Sequence, residues 1–482
     1  MKKMNMISAL LAAILAMTMT GCGMNLNTGT TAENPAVTRS DSVKKEESSE
    51  NTEAASADQE INDTVQAVEL SQKAGSAEQD SELFTKRDLA QTADLSEAQR
   101  ITVSDGQTID ITEEGVYVIS GTAKNCTIRI NSDDAAKIQL VLNGVSITND
   151  DFPSIYVISA DKVFITAADS ENTLTVSGQF KADGDTNTDA VIFSNDDLVL
   201  NGTGTLNITS AYGNGVTCKD DLKITGGTYN VTTALDSFEA NDSISVYDGT
   251  FNIKTDKDGF RCENDAAEGT ITVLGGAYTI TASSDGMQAC ALLQIDGGTM
   301  DITASEGLEA TFVRINGGDI TISASDDGIN ASASTNAYET AVEINGGNLN
   351  VSVGQGDTDA IDANGSIYVN GGTINITAQM SSFDYDVKAE FNGGTIIING
   401  EEVSEIPLSM MGGGMHGGMG GMRGGMSGGM NGESDPMQDG MKGGFGGRGG
   451  RRGMQESTGG GTEDMTGGMN GMFGGTENHT AI

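Results

Sequence analysis

Tryptophan is absent from this chain, proline occurs 4 times in 482 residues, and Lys and Arg number 26 against 69 Asp and Glu. Each scarcity excludes something. Without tryptophan there is no flat indole platform on which crystalline cellulose could stack. A formal charge of -43 repels nucleic acid and anionic headgroups and favours metal cations or basic partners, so a nucleic-acid function is excluded. A sustained apolar period is missing from both ends, so only the middle can bury a core, and one large domain is expected. Glycine, by contrast, reaches 66 residues, which suits many tight turns between short strands.

The ends have distinct characters. Residues 1–21 read as an export signal, with Met1-Lys2-Lys3, an apolar run from Met6 to Met19, and small residues before Cys22. That run is too short and wrongly flanked for a stable span. Met19-Thr20-Gly21-Cys22 resembles the bacterial lipobox, with Met in place of the usual Leu, and implies a lipid on Cys22 and attachment to the outer side of the cell membrane. Residues 22–95 are rich in Ser, Thr, Ala and acids and are expected to form a disordered tether. Residues 409–482, Gly- and Met-rich, are expected to be a featureless disordered tail, the lesser alternative being that its thioethers and His416 bind a soft ion such as Cu(I). Of the other cysteines, Cys126, Cys218, Cys262 and Cys290, Cys218 and Cys262 fall at a repeat position otherwise held by Ala and Cys290 follows such an Ala, and all four are expected to be small buried core residues.

That repeat fills residues 96–408. Turns at Gly226-Gly227-Thr228, Asp248-Gly249-Thr250, Gly275-Gly276-Ala277, Gly297-Gly298-Thr299, Gly317-Gly318-Asp319, Gly346-Gly347-Asn348, Gly371-Gly372-Thr373 and Gly393-Gly394-Thr395 recur about every 24 residues, at intervals of 20 to 29. Apolar residues two apart flank each turn, such as Leu222 and Ile224 before and Tyr229 and Val231 after, which is strand periodicity. A third short strand reads acid, small, apolar, any, Ala or Cys: Asp236 to Ala240, Asp258 to Cys262, Asp285 to Ala289, Glu306 to Ala310, Asp327 to Ala331, Asp359 to Ala363. Three short strands per unit describe one coil of a parallel β-helix, an all-β solenoid. A propeller blade needs about 40 residues and does not fit. Tyr229, Phe251 and Tyr278 should stack as an internal file. Asp296, Asn316, Asn345, Asn370 and Asn392 should form a ladder at the turns. Residues 101–178, where the turn motif is weaker, read as irregular first coils and a cap.

Stacked coils turn the acid position into a column: Asp189, Asn214, Asp236, Asp258, Asp285, Glu306, Asp327 and Asp359, placed at the corner before each strand. Three residues on lie Glu239, Arg261, Gln288, Glu309, Asn330 and Asp362, pointing outward. Unit charges about 4.8 Å apart repel by about 3 kcal/mol at an effective dielectric near 20. A bare file of carboxylates is therefore unfavourable, and hard oxygens in a file suit Ca²⁺. The expected ligands are Asp236, Glu239, Asp258, Asp285, Glu306, Glu309, Asp327, Asp359 and Asp362. The plainer alternative is that the acids bond backbone amides at a corner.

Val141-Leu142-Asn143-Gly144-Val145-Ser146-Ile147, Asp196 to Leu206, the repeated Asp-Gly-apolar-x-Ala and the Asn-Gly-Gly-Thr turns together resemble the clostridial carbohydrate-binding β-helix proteins, over residues 100–400. That resemblance implies a right-handed, pectate-lyase-like helix with bound calcium that binds cellulose and acidic sugars at the cell surface without catalysis. Ser237 and Ala360 in place of glycine, Glu306 in place of Asp, Asn214, and Tyr385 where the column should continue depart from the pattern. The function expected is polysaccharide binding. The alternatives are a calcium-dependent lyase, in which Arg261, Lys388 or Lys219 would remove a proton beside a uronate carboxyl, and a structural spacer or adhesin.

Overall fold

The computed structural model describes residues 83–264, 266–356 and 358–407. Cys22, the signal segment and the Gly- and Met-rich tail lie outside them. Among the described residues, no helix is long and apolar enough to cross a membrane.

Alternation in the sequence becomes a stack of parallel strands. The third strands of the coils form one sheet of 12, and the strands on either side of the turns form a continuous sheet of 24. From Leu222 onward like positions pair with like on successive coils: Leu222 with Ile244, Ile244 with Ile271, Tyr229 with Phe251, Phe251 with Tyr278. Each of these side chains points inward and is buried. Burial of whole rows of Ile, Val and Leu is the main stabilising term, at about 25 cal/mol per Å² of apolar surface.

Tyr229, Phe251 and Tyr278 form the expected internal file, with ring centroids 5.3 and 4.6 Å apart. Phe238 and Phe260 stack beside them at 4.9 Å. Cys218, Ala240 and Cys262 occupy one row on successive coils. All four described cysteines are free and buried, as expected.

The turn glycines answer to two constraints. Gly276, Gly298 and Gly318 adopt φ values of 104°, 103° and 98°, where an L side chain would be strained. At Gly297 the backbone is ordinary, but a Cβ would meet the carbonyl oxygen of Leu274 at 2.8 Å. Before these turns the asparagine ladder closes as expected: Asn316 Nδ2 donates to Asp296 at 2.6 Å, Asn345 to Asn316 at 2.8 Å, Asn370 to Asn345 at 2.8 Å, and Asn392 to Asn370 at 2.9 Å.

The first coils belong to the same stack but run straight through the corner. Gly115–Lys124 and Lys137–Asn149 are single strands of 10 and 13 residues, with a register shift between Ile119 and Gly121. At the other end Glu401–Val403 pairs antiparallel with Thr395–Ile398 and covers an open edge with charge.

The tether boundary at 95 needs correction, because the ordered chain begins earlier. Residues 83–91 lie against the sheet: Asp88 is fully buried, its carbonyl accepts from Thr225 Oγ1 at 2.6 Å, and Gln91 Nε2 donates to the Thr225 carbonyl at 2.9 Å. Arg87 sits over the Phe164 ring. The two hydrogen bonds to Thr225 span 134 and 137 residues, and such contacts leave no periodic trace in so polar a segment.

Candidate cation and ligand site

The acid column exists. Asp285 pairs with Glu306 directly, and the pairings Phe238–Phe260–Met287 and Leu308–Ile329–Ile361 bring Asp236, Asp258, Asp327 and Asp359 into the same line. Asp285, Glu306 and Asp359 open their strands instead of preceding them. The corner location expected for these acids is therefore corrected, and the acids are less open than a corner suggests. Asp236, Asp258 and Asp285 are buried, and the carboxylates of Asp236, Asp258 and Asp327 turn along the stack and accept the next coil's amide. Asp258 N donates to Asp236 Oδ1 at 3.1 Å, Asp285 N to Asp258 Oδ1 at 3.0 Å, and Asp359 N to Asp327 Oδ1 at 2.7 Å. The backbone-capping role weighed for these acids is thus present. It uses Oδ1 of Asp236, Asp258 and Asp327.

Two members change at the column's ends. Asn214 pairs with Ala190, so Asp189 falls one residue out of line and is not part of the column. Below Asp359 the position is taken by Ser381, and Tyr385 pairs with Ala363. The motif misaligned both because the neighbouring coils depart from its Asp-Gly-apolar wording. Lys388 also moves: it pairs with Ser366 in the turn-flanking sheet, away from the row of Arg261. The outward row runs Glu239, Arg261, Gln288, Glu309, Asn330, Asp362 and Asp384.

The upper members are neutralised by the protein itself. Lys257 Nζ lies 2.6 Å from Asp236 Oδ2, and Arg261 Nη1 lies 3.1 Å from Asp258 Oδ2. Arg261 also pairs with Glu263. Glu239 accepts from Asn214 at 2.7 Å and Thr217 at 2.9 Å, with Lys219 3.7 Å away. Burial pushes Asp258 up, but the Asp285 amide, Ser284, Arg261 and Lys257 together hold it below the usual carboxylate range.

One coil further down this changes. Carboxylate oxygens of Asp285, Glu306 and Glu309 all lie within 4.8 Å of one another. Among the described residues none of the three has an ion pair. Burial first, then the charges of Asp258, Glu309 and Glu306, push Asp285 up to about 8. Burial and the neighbouring acids push Glu306 up to about 7. Asp362 rises to about 7 through burial and the charges of Asp327, Asp359, Asp384 and Asp386.

Oxygens sharing one Ca²⁺ at about 2.3–2.6 Å lie at most about 5 Å apart, so the three carboxylates fit a calcium ion. Three acids do not complete six to eight ligands. Water or a ligand's oxygens would supply the remainder.

A second cluster escaped the repeat grammar. Asp197, Asp220 and Asp221 bring carboxylate oxygens within 4.8 Å at another corner, with Lys162 3.1 Å from Asp197. Burial and the surrounding acids push Asp220 up to about 6. The doublets Asp196-Asp197 and Asp220-Asp221, each just before Leu, were its trace in the sequence.

A family model described as carbohydrate-binding domain-containing protein matches residues 105–357 and 310–407. A protein of Acetivibrio thermocellus described in the same words is 36% identical over 126 residues, which is 26% of this chain and 44% of the relative. The chain thus spans less than half the length of that relative. A solved structure of a polysaccharide lyase-like protein from C. thermocellum, a gadolinium derivative, is 27% identical. It matches with a TM-score of 0.40 over 46% of this chain and 93% of that one.

Proposed function

The chain belongs to the carbohydrate-binding domain-containing protein family, and we propose from that premise that it holds an acidic or cellulosic polysaccharide through Ca²⁺ at Asp285, Glu306 and Glu309. The carrying observation is the meeting of three carboxylates that make no ion pair among the described residues, the charge of Arg261 being the smallest of the influences on Asp285. Two of them are held above the normal range by burial and mutual repulsion. A divalent ion removes that repulsion and has coordination left for a sugar carboxylate or hydroxyls. It also explains how a chain of charge -43 could retain an anionic glycan. Asp327, Asp359 and Asp362 extend the acidic line below. Asp236, Asp258 and Glu239 are met by Lys257, Arg261 and Lys219 and take no part.

Binding is favoured over elimination by the state of the cations. Arg261, the basic residue nearest the acids, is fixed between Asp258 and Glu263, and these carboxylates raise its pKa further. A general base must give up its proton near the working pH. A lipid on Cys22 would present the solenoid on the outer face of the membrane.

The test is capture of polygalacturonate by the full chain with calcium or with EGTA, for wild type and Glu306→Gln. Calcium-dependent retention that the substitution abolishes supports the reading. Equal retention in EGTA overturns the role of the ion, and release of unsaturated uronate would make the protein a lyase.

A further inference from the structure

Long turns flank the three-acid cluster on both sides. Seven residues separate Cys262 from Thr270 and nine separate Ala331 from Ala341, whereas only two follow Ala289 and one follows Ala310. Two coils with short turns, Asp285–Ala289 and Glu306–Ala310, therefore lie in a trough between two walls.

Both walls are fastened. Asn264 Oδ1 accepts the amides of Ala266 and Glu268, each at 3.1 Å. The fully buried Thr311 accepts the amide of Ser334 at 2.9 Å and donates to the Cys290 carbonyl at 2.8 Å. Between them lies a cavity of about 230 Å³, with Arg261, Gln288 and Glu309 on its floor and Glu263, Asn264 and Ser334 on its sides. Liquid water takes about 30 Å³ per molecule, so the space holds roughly eight waters, about the bulk of one sugar ring.

The lining is polar, planar and already bonded internally. Gln288 Nε2 donates to Glu309, and Ser332 Oγ donates to Glu309 Oε1 at 2.9 Å. A carboxylate has about four acceptor sites and a guanidinium five N–H donors, so Glu309 and Arg261 both keep capacity. The charge of Arg261 is spent on Asp258 and Glu263, which leaves the cavity net negative with Glu309. An anionic sugar is repelled there, whereas hydroxyls can donate to the carboxylates and accept from the amide and guanidinium.

We infer that this cavity is a subsite for a neutral sugar ring, read through its hydroxyls, beside the cation that takes the acidic one. The inference rests on the carbohydrate-binding reading above and narrows it: the two sites share Glu309, so the best ligand is a chain with neutral and uronic residues as neighbours.

The experiment uses the full chain on an array of neutral oligosaccharides, homopolymeric uronates and mixed polymers, in calcium and in EGTA. Neutral glycans are expected to bind in EGTA. Gln288→Met keeps the side-chain volume but removes the amide, and should weaken that binding at least ten-fold with an unchanged melting temperature. Mixed polymers in calcium should bind more tightly than either homopolymer. Absence of neutral-glycan binding in EGTA, or indifference to Gln288→Met, overturns the subsite. If uronates bind with calcium while neutral sugars do not, the cation reading stands alone; if no glycan binds, the carbohydrate-binding reading falls with it.

Discussion

The coils carrying Asp236 and Asp258 and those carrying Asp285 and Glu306 share one backbone, and Asp258 and Asp285 share a motif, yet they solve the same electrostatic problem differently. In the upper pair Lys257 precedes the second acid and Arg261 follows it by three, and ion pairs at 2.6 and 3.1 Å close the network. In the next coil Ser284 and Gln288 hold those two places, and burial and neighbouring acids push Asp285 up to about 8. Register alone thus builds the column, while two side chains per coil decide whether it is sealed by the protein or left for a cation.

The comparison breaks first at Lys257. Replacing it with Met leaves Asp236, which is 2% exposed, without its ammonium. Loss of one partner of a buried pair costs about 3–5 kcal/mol, and the partial exposure of Lys257 places the expected loss near the lower figure, about 3 kcal/mol. Denaturant unfolding in EGTA measures it. The variant should also acquire a calcium response in its upper coils, seen as a second binding event in calorimetry. An unchanged stability would mean that the ion pair does not hold the coil.

Calcium should stabilise the wild type by about 2.7 kcal/mol at a hundred-fold excess over its dissociation constant. The melting temperature should rise with added calcium, and Asp285→Asn with Glu306→Gln should remove the rise. A rise that survives both substitutions would move the ion to Asp197, Asp220 and Asp221.

pH sharpens the same contrast. Asp285 ionises near 3.9 in the unfolded chain and near 8 in the fold. Between these values the folded state holds the extra proton, so stability is full below about pH 4 and falls as pH rises towards 8, by at most about 1.4 kcal/mol per unit for this group. Melting in EGTA at pH 5, 6.5 and 8 should show the decline, with calcium restoring most at pH 8. Asp258 opposes this trend, since it is held low and gains from ionisation, whereas Asp236, pushed up to about 6 by burial, follows it.

What could be read in the sequence follows from what repeats. The Gly-Gly turns, the inward rows, the Tyr229 file and the ladder from Asp296 to Asn392 were all legible, because each is fixed by period and by neighbours one coil away. Asp285, Glu306 and Glu309 were named as ligands for the same reason. Lys257 was overlooked because its partner lies 21 residues back on another coil and no motif marks it. Residues 83–91 read as tether because their partners lie far along the chain: Phe84 packs on Tyr247, Arg87 on Phe164, and the hydrogen bonds of Gln91 and Leu83 reach 111 and 140 residues away. Asp189 and Tyr385 were misplaced where coils depart from the motif, since alignment by wording cannot see a one-residue shift that pairing of strands makes plain.

The smallest change should be the most discriminating. Gln288→Lys places an ammonium one coil below Arg261, on an outward row next to Glu309, and so gives the lower coils what the upper ones have. The pair it makes is partly exposed, so the gain in EGTA should be only about 0.5–1 kcal/mol. Calcium should then stabilise far less, because the ammonium and the ion compete for the same carboxylates. Were the full calcium response to persist beside this lysine, the ion would not be using Glu309. In that case the two halves of the column would differ in their ion pairs but not in their ability to bind metal.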